Sequence, residues 1–435
     1  MFSIKTMLFA GLFCICSIGA LFAPHLGIYG YLADYTIGPS KQWWEAPLSG
    51  LGIRYSLTLA LTTLLGFFLQ KSKMRFGSAF FQNQEILVLF FLGAVWFSFL
   101  IGDQTVGRYS TTDHPTVKFT KIIIFLFLFT HIITDFKKID SLIWVLILCS
   151  WILGMQAWDL PRRAFVGGRL EGIGGADFSE ANFFAAFMAS MLPIIGIQFL
   201  RSKKLTSRMI CFFSAAFTAN AVVLCRSRGA FVGIAFGALA AVFMVPREFR
   251  KKIILLLVLG VIGGLYVTDH QYLERLTTIV VSEDEERDAS ANSRLLLWAA
   301  GVQMVMDKPM GIGIGNWYQT IGKYIPEYDG KDSHSTYVKC FAELGFQGFI
   351  IFSLFIFTAY RQLVWVKRQS EQFDKEKSED LKLICFGIKI SLVIYLACAL
   401  TITMIYTELT WILLMLPCCV RRALENEVIS EKIGE

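Results

Sequence analysis

The stretch that decides the reading runs from Val267 to about Gly348. It leaves the apolar run IILLLVLGVIGGLYV (253–267), passes the acidic patch SEDEERD (282–288), and turns amphipathic at SANSRLLLWAAGVQMVMDKP (290–309). A glycine-rich turn, GIGIGNW (311–317), and a tyrosine-rich loop follow, and DSHSTYVKCFAELGFQG (332–348) returns the chain to apolar sequence. This is the one long polar excursion in a sequence otherwise made of apolar runs. Two of its residues, Arg294 and His334, look chemical rather than structural.

The surrounding chain sets the class. Its 435 residues are 55% apolar and 17% charged, with a mean hydropathy of +0.56, too apolar for a soluble protein of two or three domains. The charges gather between apolar runs of roughly 16–22 residues, long enough to cross about 30 Å of hydrocarbon as helices. The pattern predicts an all-α polytopic membrane protein with about twelve transmembrane helices and one large external loop carrying short helices. The spans fall near residues 7–24, 55–70, 86–102, 118–134, 141–157, 178–199, 209–225, 229–246, 252–268, 336–358, 383–404 and 408–420. The organisation is therefore 1–268 (nine spans with short loops), 269–335 (the large loop) and 336–435 (three spans and a cytoplasmic tail).

Charge sets the orientation. The net charge of +7 could indicate nucleic acid, but most basic residues sit in short connections such as KSKMR, DFKK, RSKKLTSR and PREFRKK. That is the positive-inside signature of a membrane protein, and nucleic acid is not an expected partner. With the N-terminus in the cytoplasm, alternation puts these segments inside. Segments 25–54, 103–117, 159–177, the turn at Arg226–Arg228 and the large loop then face outward. The N-terminal run lacks a small-x-small cleavage pattern, since Ala23 follows bulky Leu21 and precedes Pro24, so it reads as an uncleaved span. The ten cysteines lie in or beside apolar runs without metal-ligand spacing, and neither disulfides nor a metal site is expected.

Several external residues carry chemical potential. His334 precedes a span, where a neutral imidazole can serve as a general base; a hydrogen-bonded loop histidine is the bland alternative. Arg294 opens the amphipathic segment, with Asn292 or Ser293 as N-cap and Leu295, Trp298, Val302 and Val305 on one face. Arginine in a first helical turn runs against the helix dipole, which suggests an anion there, although a solvated loop arginine fits too. In CRSRGA (225–230), Arg226 and Arg228 stand between two apolar runs, where each would cost roughly 2.5–3.5 kcal/mol in hydrocarbon. They must face a polar cavity, an anionic partner or the headgroup layer. In PRRAFVGGRLEGIGGADFSEANFFA (161–185), Arg169 follows two glycines that let its backbone approach a ligand, while Glu180 and Asn182 suit hydrogen bonds between helices. The GIGIGNW turn implies close backbone approach, with its N–H groups on an anion or in a plain turn, and Asn316 completes the candidate substrate-binding set. Arginine forks bind phosphate oxygens in bidentate fashion, so the clusters point to a lipid-linked diphosphate.

The tracts RLEGIGGADFSEANFFA, SRGA, R294-L-L-L-W, KPMGIGIGNW, SHSTYV and ELGFQG resemble, in this order, the O-antigen ligase and polymerase superfamily of bacterial envelope glycosyltransferases. The resemblance implies a multi-pass inner-membrane enzyme with its site facing the periplasm. It would move a glycan from undecaprenyl diphosphate to a hydroxyl on a glycan, lipid A core or protein acceptor, with no metal or other cofactor. It implies His334 as the catalytic base, Arg294 and Arg228 as diphosphate ligands, and Arg169 as a further basic position. One departure is Ser335, where many relatives carry asparagine. The acceptor separates a ligase from a polymerase and is not legible here. A glycolipid flippase or exporter is the reading from another class.

Overall fold

The computed structural model describes residues 3–103, 113–267 and 285–433, which form an all-helical bundle. In chain order the helices are α1 (Ile4–Phe22), α2 (Pro24–Ile37), α3 (Ala46–Ser49), α4 (Tyr55–Gln70), α5 (Asn83–Ile101), α6 (Pro115–Ile132), α7 (Phe136–Asp159) and α8 (Ala181–Arg201). They continue with α9 (Leu205–Cys225), α10 (Arg228–Met244), α11 (Arg250–Val267), α12 (Glu285–Asp307), α13 (Trp317–Tyr324), α14 (Thr336–Gln369), α15 (Lys375–Cys398) and α16 (Glu408–Ile433). Each expected span falls on a helix. Among the described residues eight helices are long and apolar enough to cross a membrane, or nine if α10 and α11, bent by 111° at their junction, count as one span. The figure of twelve is not confirmed by this criterion, which helices such as α4, at 16 residues, are too short to meet.

Short polar residues start the helices where the sequence leaves apolar character. Asp135 accepts the Lys138 N–H at 2.9 Å, Asp374 accepts that of Lys377 at 2.9 Å, and Ser227 accepts that of Ala230 at 3.3 Å. One end of the bundle gathers the basic connections. There Arg201 bridges Asp140 (2.8 Å) and Asp380 (2.6 Å), and fully buried Arg422 reaches Glu85 at 2.7 Å and the carbonyls of Phe76, Phe80 and Thr130. Every guanidinium nitrogen of Arg422 thus has an acceptor, as a charge in an apolar bundle requires.

The N-terminus departs from expectation. Residues 25–54 were expected as one external loop, but α2 folds straight back along α1. A Cβ at Gly30 would fall 2.7 Å from that of Cys16, and one at Gly27 would fall 2.9 Å from that of Ala20. The pairing 16 with 30 and 20 with 27 is antiparallel, and small residues allow the close approach. Helix α4 then runs parallel to α1: the Tyr55 ring lies 5.0 Å from Phe9 and 5.1 Å from Phe13, and Gln70 donates to the Leu21 carbonyl at 3.3 Å. Thr6 donates to the Trp44 carbonyl at 2.6 Å, so residues 3–6 share an end with segment 38–54. That segment packs on the Arg169 loop, where a Cβ at Gly38 would fall 2.7 Å from Gly175 Cα. The N-terminus thus lies at the end opposite the basic connections, not among them. With α2 folded back along α1, α1 runs opposite to its expected direction while α4 keeps its own.

Helix α14 is broken at Gly345, whose φ of 68° and ψ of −168° are non-helical. A Cβ there would lie 2.4 Å from both the Met310 carbonyl carbon and the Pro309 oxygen. The glycine turn that follows α12 fills the break.

Candidate functional site

Three loops meet at the end away from the basic connections. The first is the tight turn of Val166 and Arg169, which exchange backbone hydrogen bonds at 3.0 Å around Gly167 (φ 55°) and Gly168 (φ 71°). Arg169 donates through Nε to the Cys225 carbonyl (3.1 Å) and through Nη2 to Asn182 Oδ1 (2.5 Å). The second is the α9–α10 turn, where Arg226 takes a left-handed conformation (φ 47°) and donates to the Gly168 carbonyl at 2.6 Å. Ser227 caps α10 and donates to the same Asn182 oxygen at 2.9 Å. Asn182 therefore joins the two arginine loops, the helix-linking role expected of it. Arg226 is committed in part to the loop itself, while Arg228 begins α10 with no hydrogen-bond or ion-pair partner among the described residues.

The third contribution comes from Arg294, half-buried on α12. Burial and then the nearby Arg228 and Arg169 guanidiniums lower its pKa from the ordinary arginine value. Arginines from three separate elements thus stand within electrostatic reach of one another. Arg294, like Arg228, has no acidic partner among the described residues. Its local setting corrects one expectation: α12 begins by Glu285, not at Asn292 or Ser293, so Arg294 sits inside the helix and the dipole argument does not apply. The tract EERDASANS contains no glycine or proline, and its Glu, Ala and Arg residues favour extending the helix backward.

His334 stands beside this group in a strained turn, with φ of 49°. Its N–H donates to Asp332 Oδ2 at 3.3 Å, and its ring has no hydrogen-bond partner among the described residues. Partial burial lowers its pKa below the ordinary histidine value; Asp332 opposes that shift, while Arg294, Lys339 and Lys331 reinforce it. The imidazole is thus biased toward its neutral, proton-accepting form.

Asp332 is a site residue that sequence reasoning missed. It pairs with Lys339 at 3.0 Å and accepts from Thr403 at 2.5 Å. Burial pushes its carboxyl up, but Lys339 and the hydrogen bonds from Thr403, Lys339 and Tyr318 outweigh it and hold the group below the ordinary range. The segment after α15 bridges the loops. Thr403 contacts Ser333 at 3.0 Å, Thr336 donates to the Ile402 carbonyl at 2.6 Å, and Cys398 lies 3.6 Å from the Gly229 carbonyl. The one available signal was the hydroxyl-rich sequence TITMIYTE (401–408) inside an apolar region.

The groups of the glycine turn meet a carboxyl group of the protein itself. The N–H of Trp317 donates to Glu343 Oε1 at 3.2 Å, that of Gly315 also reaches the carboxylate, and Tyr406 donates to Oε2 at 2.7 Å. Asn316 directs its amide to the carbonyls of Asp103 (2.8 Å) and Ile312 (2.9 Å), tying this turn to the end of α5. Of the expected site residues, Arg294 lies within electrostatic reach of His334, Arg228 and Arg169, with Arg226 bracing the Arg169 loop and Asn316 bracing the glycine turn.

Residues 213–353 match the family model described as O-antigen ligase. Over this third of its length the chain is similar to O-antigen ligases. The matched region holds Arg226, Arg228, Arg294 and His334, whereas Arg169 reaches the site from outside it. No curated protein matches the chain.

Proposed function

We propose that this protein is an O-antigen-ligase-like glycosyltransferase that moves a glycan from undecaprenyl diphosphate to an acceptor hydroxyl. The reaction would occur at the periplasmic face of the bacterial inner membrane. One observation carries the reading: guanidiniums from three elements converge, two of them without partners among the described residues, beside an imidazole biased toward its neutral form. The gathering of the basic connections at the other end of the bundle supports the periplasmic assignment.

In this scheme Arg228 and Arg294 hold the diphosphate oxygens, and Arg169 adds positive potential from a guanidinium already anchored to Asn182. The acceptor oxygen attacks the anomeric carbon while His334 takes the hydroxyl proton. The bond from that carbon to the phosphate oxygen breaks, and the diphosphate leaves with the electron pair. Fixed guanidinium donors stabilise the charge growing on the leaving group without reorganising. Proton removal by a positioned base contributes typically about 10²–10⁴-fold in rate. A single displacement inverts the anomeric configuration.

The test is His334→Ala in cells that make the glycan. Transferred glycan should disappear while lipid-linked donor accumulates. Unchanged glycan output contradicts the reading, and loss of donor from the periplasmic leaflet would favour a flippase.

A further inference from the structure

We infer that Trp298 is a positioning residue that fixes His334 relative to Arg294, and through them the attacking hydroxyl relative to the leaving diphosphate. The inference rests on the glycosyl-transfer reading and adds a residue to it.

Trp298 lies one helical turn beyond Arg294, at the i+4 spacing that places both on one face of α12. Its indole Nε1 donates to the Ser333 carbonyl at 3.1 Å. That carbonyl belongs to the peptide unit joining Ser333 to His334, whose N–H donates to Asp332 Oδ2 at 3.3 Å. Both polar atoms of one rigid plane are therefore held, the carbonyl from α12 and the N–H from within the turn. The orientation of that plane sets the φ of His334, which at 49° lies where non-glycine residues rarely sit. Such a conformation persists only where its surroundings over-determine it.

Neither anchor is free to drift. The hydroxyl of Ser333 bonds to the Ser335 carbonyl and to Thr403, each at 3.0 Å. The Trp298 ring packs on a satellite apolar cluster that includes Leu297, Met304, Trp317 and Ile321. Helix α12 also lies close to the start of α14, because a Cβ at Gly301 would fall 2.5 Å from Val338 Cγ1. The indole bond is thus a direct polar tie between the element carrying Arg294 and the peptide carrying His334. A positioning bond of this kind acts on the reacting geometry and not on donor affinity, since small misplacements in a site cost rate.

The test replaces only the N–H. Trp298 is exchanged for 3-benzothienylalanine, in which sulfur stands where the indole nitrogen was, and in parallel Trp298→Phe is made. Donor KM, kcat and melting temperature are measured with undecaprenyl-diphosphate glycan, alongside His334→Ala. The expected result for the isostere is kcat lowered roughly ten- to a hundredfold, with donor KM within about twofold and an unchanged melting temperature. Unchanged kcat, or a raised KM at unchanged kcat, overturns the positioning role. If Trp298→Phe loses its fold, the isostere alone decides. Inactive His334→Ala beside a fully active isostere means that this inference fails and the transfer reading stands; an active His334→Ala means that the reading itself fails.

Discussion

His334 needs a proton-free ring to act as a base, and its neighbours supply that bias. Partial burial, Arg294, Lys339 and Lys331 all lower its pKa, and Asp332 opposes them. The base works when neutral, so activity should fall as pH drops through this pKa, with a midpoint below the ordinary histidine value of about 6.5. Replacing Asp332 by Asn removes the one influence that raises the pKa. The acid limb of the kcat/KM profile should then move to lower pH, and a limb that moves upward contradicts the assignment. At this scale the sequence was partly legible. Arg228, Arg294 and His334 stood out because charged or titratable groups beside apolar runs demand a reason. Asp332, Trp298 and Thr403 did not, because their importance lies in which carbonyl or N–H they meet across the fold. Arg226 carried the same signal and Asn316 stood in the glycine turn, yet their side chains reach backbone carbonyls of neighbouring loops.

At the level of elements, two glycine features shape the site. The turn GIGIGNW threads against the break in α14, and Gly345 is the position where no side chain fits. Substituting Ala there adds a Cβ 2.4 Å from two backbone atoms at a φ of 68°. Overpacking and backbone strain together should destabilise the protein by about 2–4 kcal/mol, read as a lowered melting temperature in detergent. An unchanged melting temperature would show that the turn is not locked. The spacing of the glycines announced close backbone approach, but the side chain they meet, Glu343, lies on a helix whose break is not visible in sequence. The start of α12 was misplaced for a related reason. The sequence offers a capping residue at Asn292 or Ser293, whereas a good helix-forming tract upstream carries the helix past both.

For the whole molecule, hydropathy gave the class, the helical segments and the end at which basic residues gather. It missed α2, which at 14 residues is too short and too rich in Tyr, Asp and His to register as an apolar run. That omission moves the N-terminus to the end of the bundle that holds Arg169, Arg228, Arg294 and His334. With that end in the periplasm, Ser3→Cys in a chain lacking the other cysteines should react with a membrane-impermeant maleimide added outside the inner membrane. Protection from it, with labelling only after lysis, would reverse the N-terminal topology.

The central claim is that arginines from three separate elements hold a sugar diphosphate against one imidazole. It is tested most directly by determining the structure of His334→Ala in complex with an undecaprenyl-diphosphate glycan. The account predicts diphosphate oxygens within hydrogen-bonding distance of Arg228 and Arg294, with the anomeric carbon on the side vacated by the imidazole. A diphosphate bound elsewhere, or bound there with its sugar directed away from position 334, would contradict it.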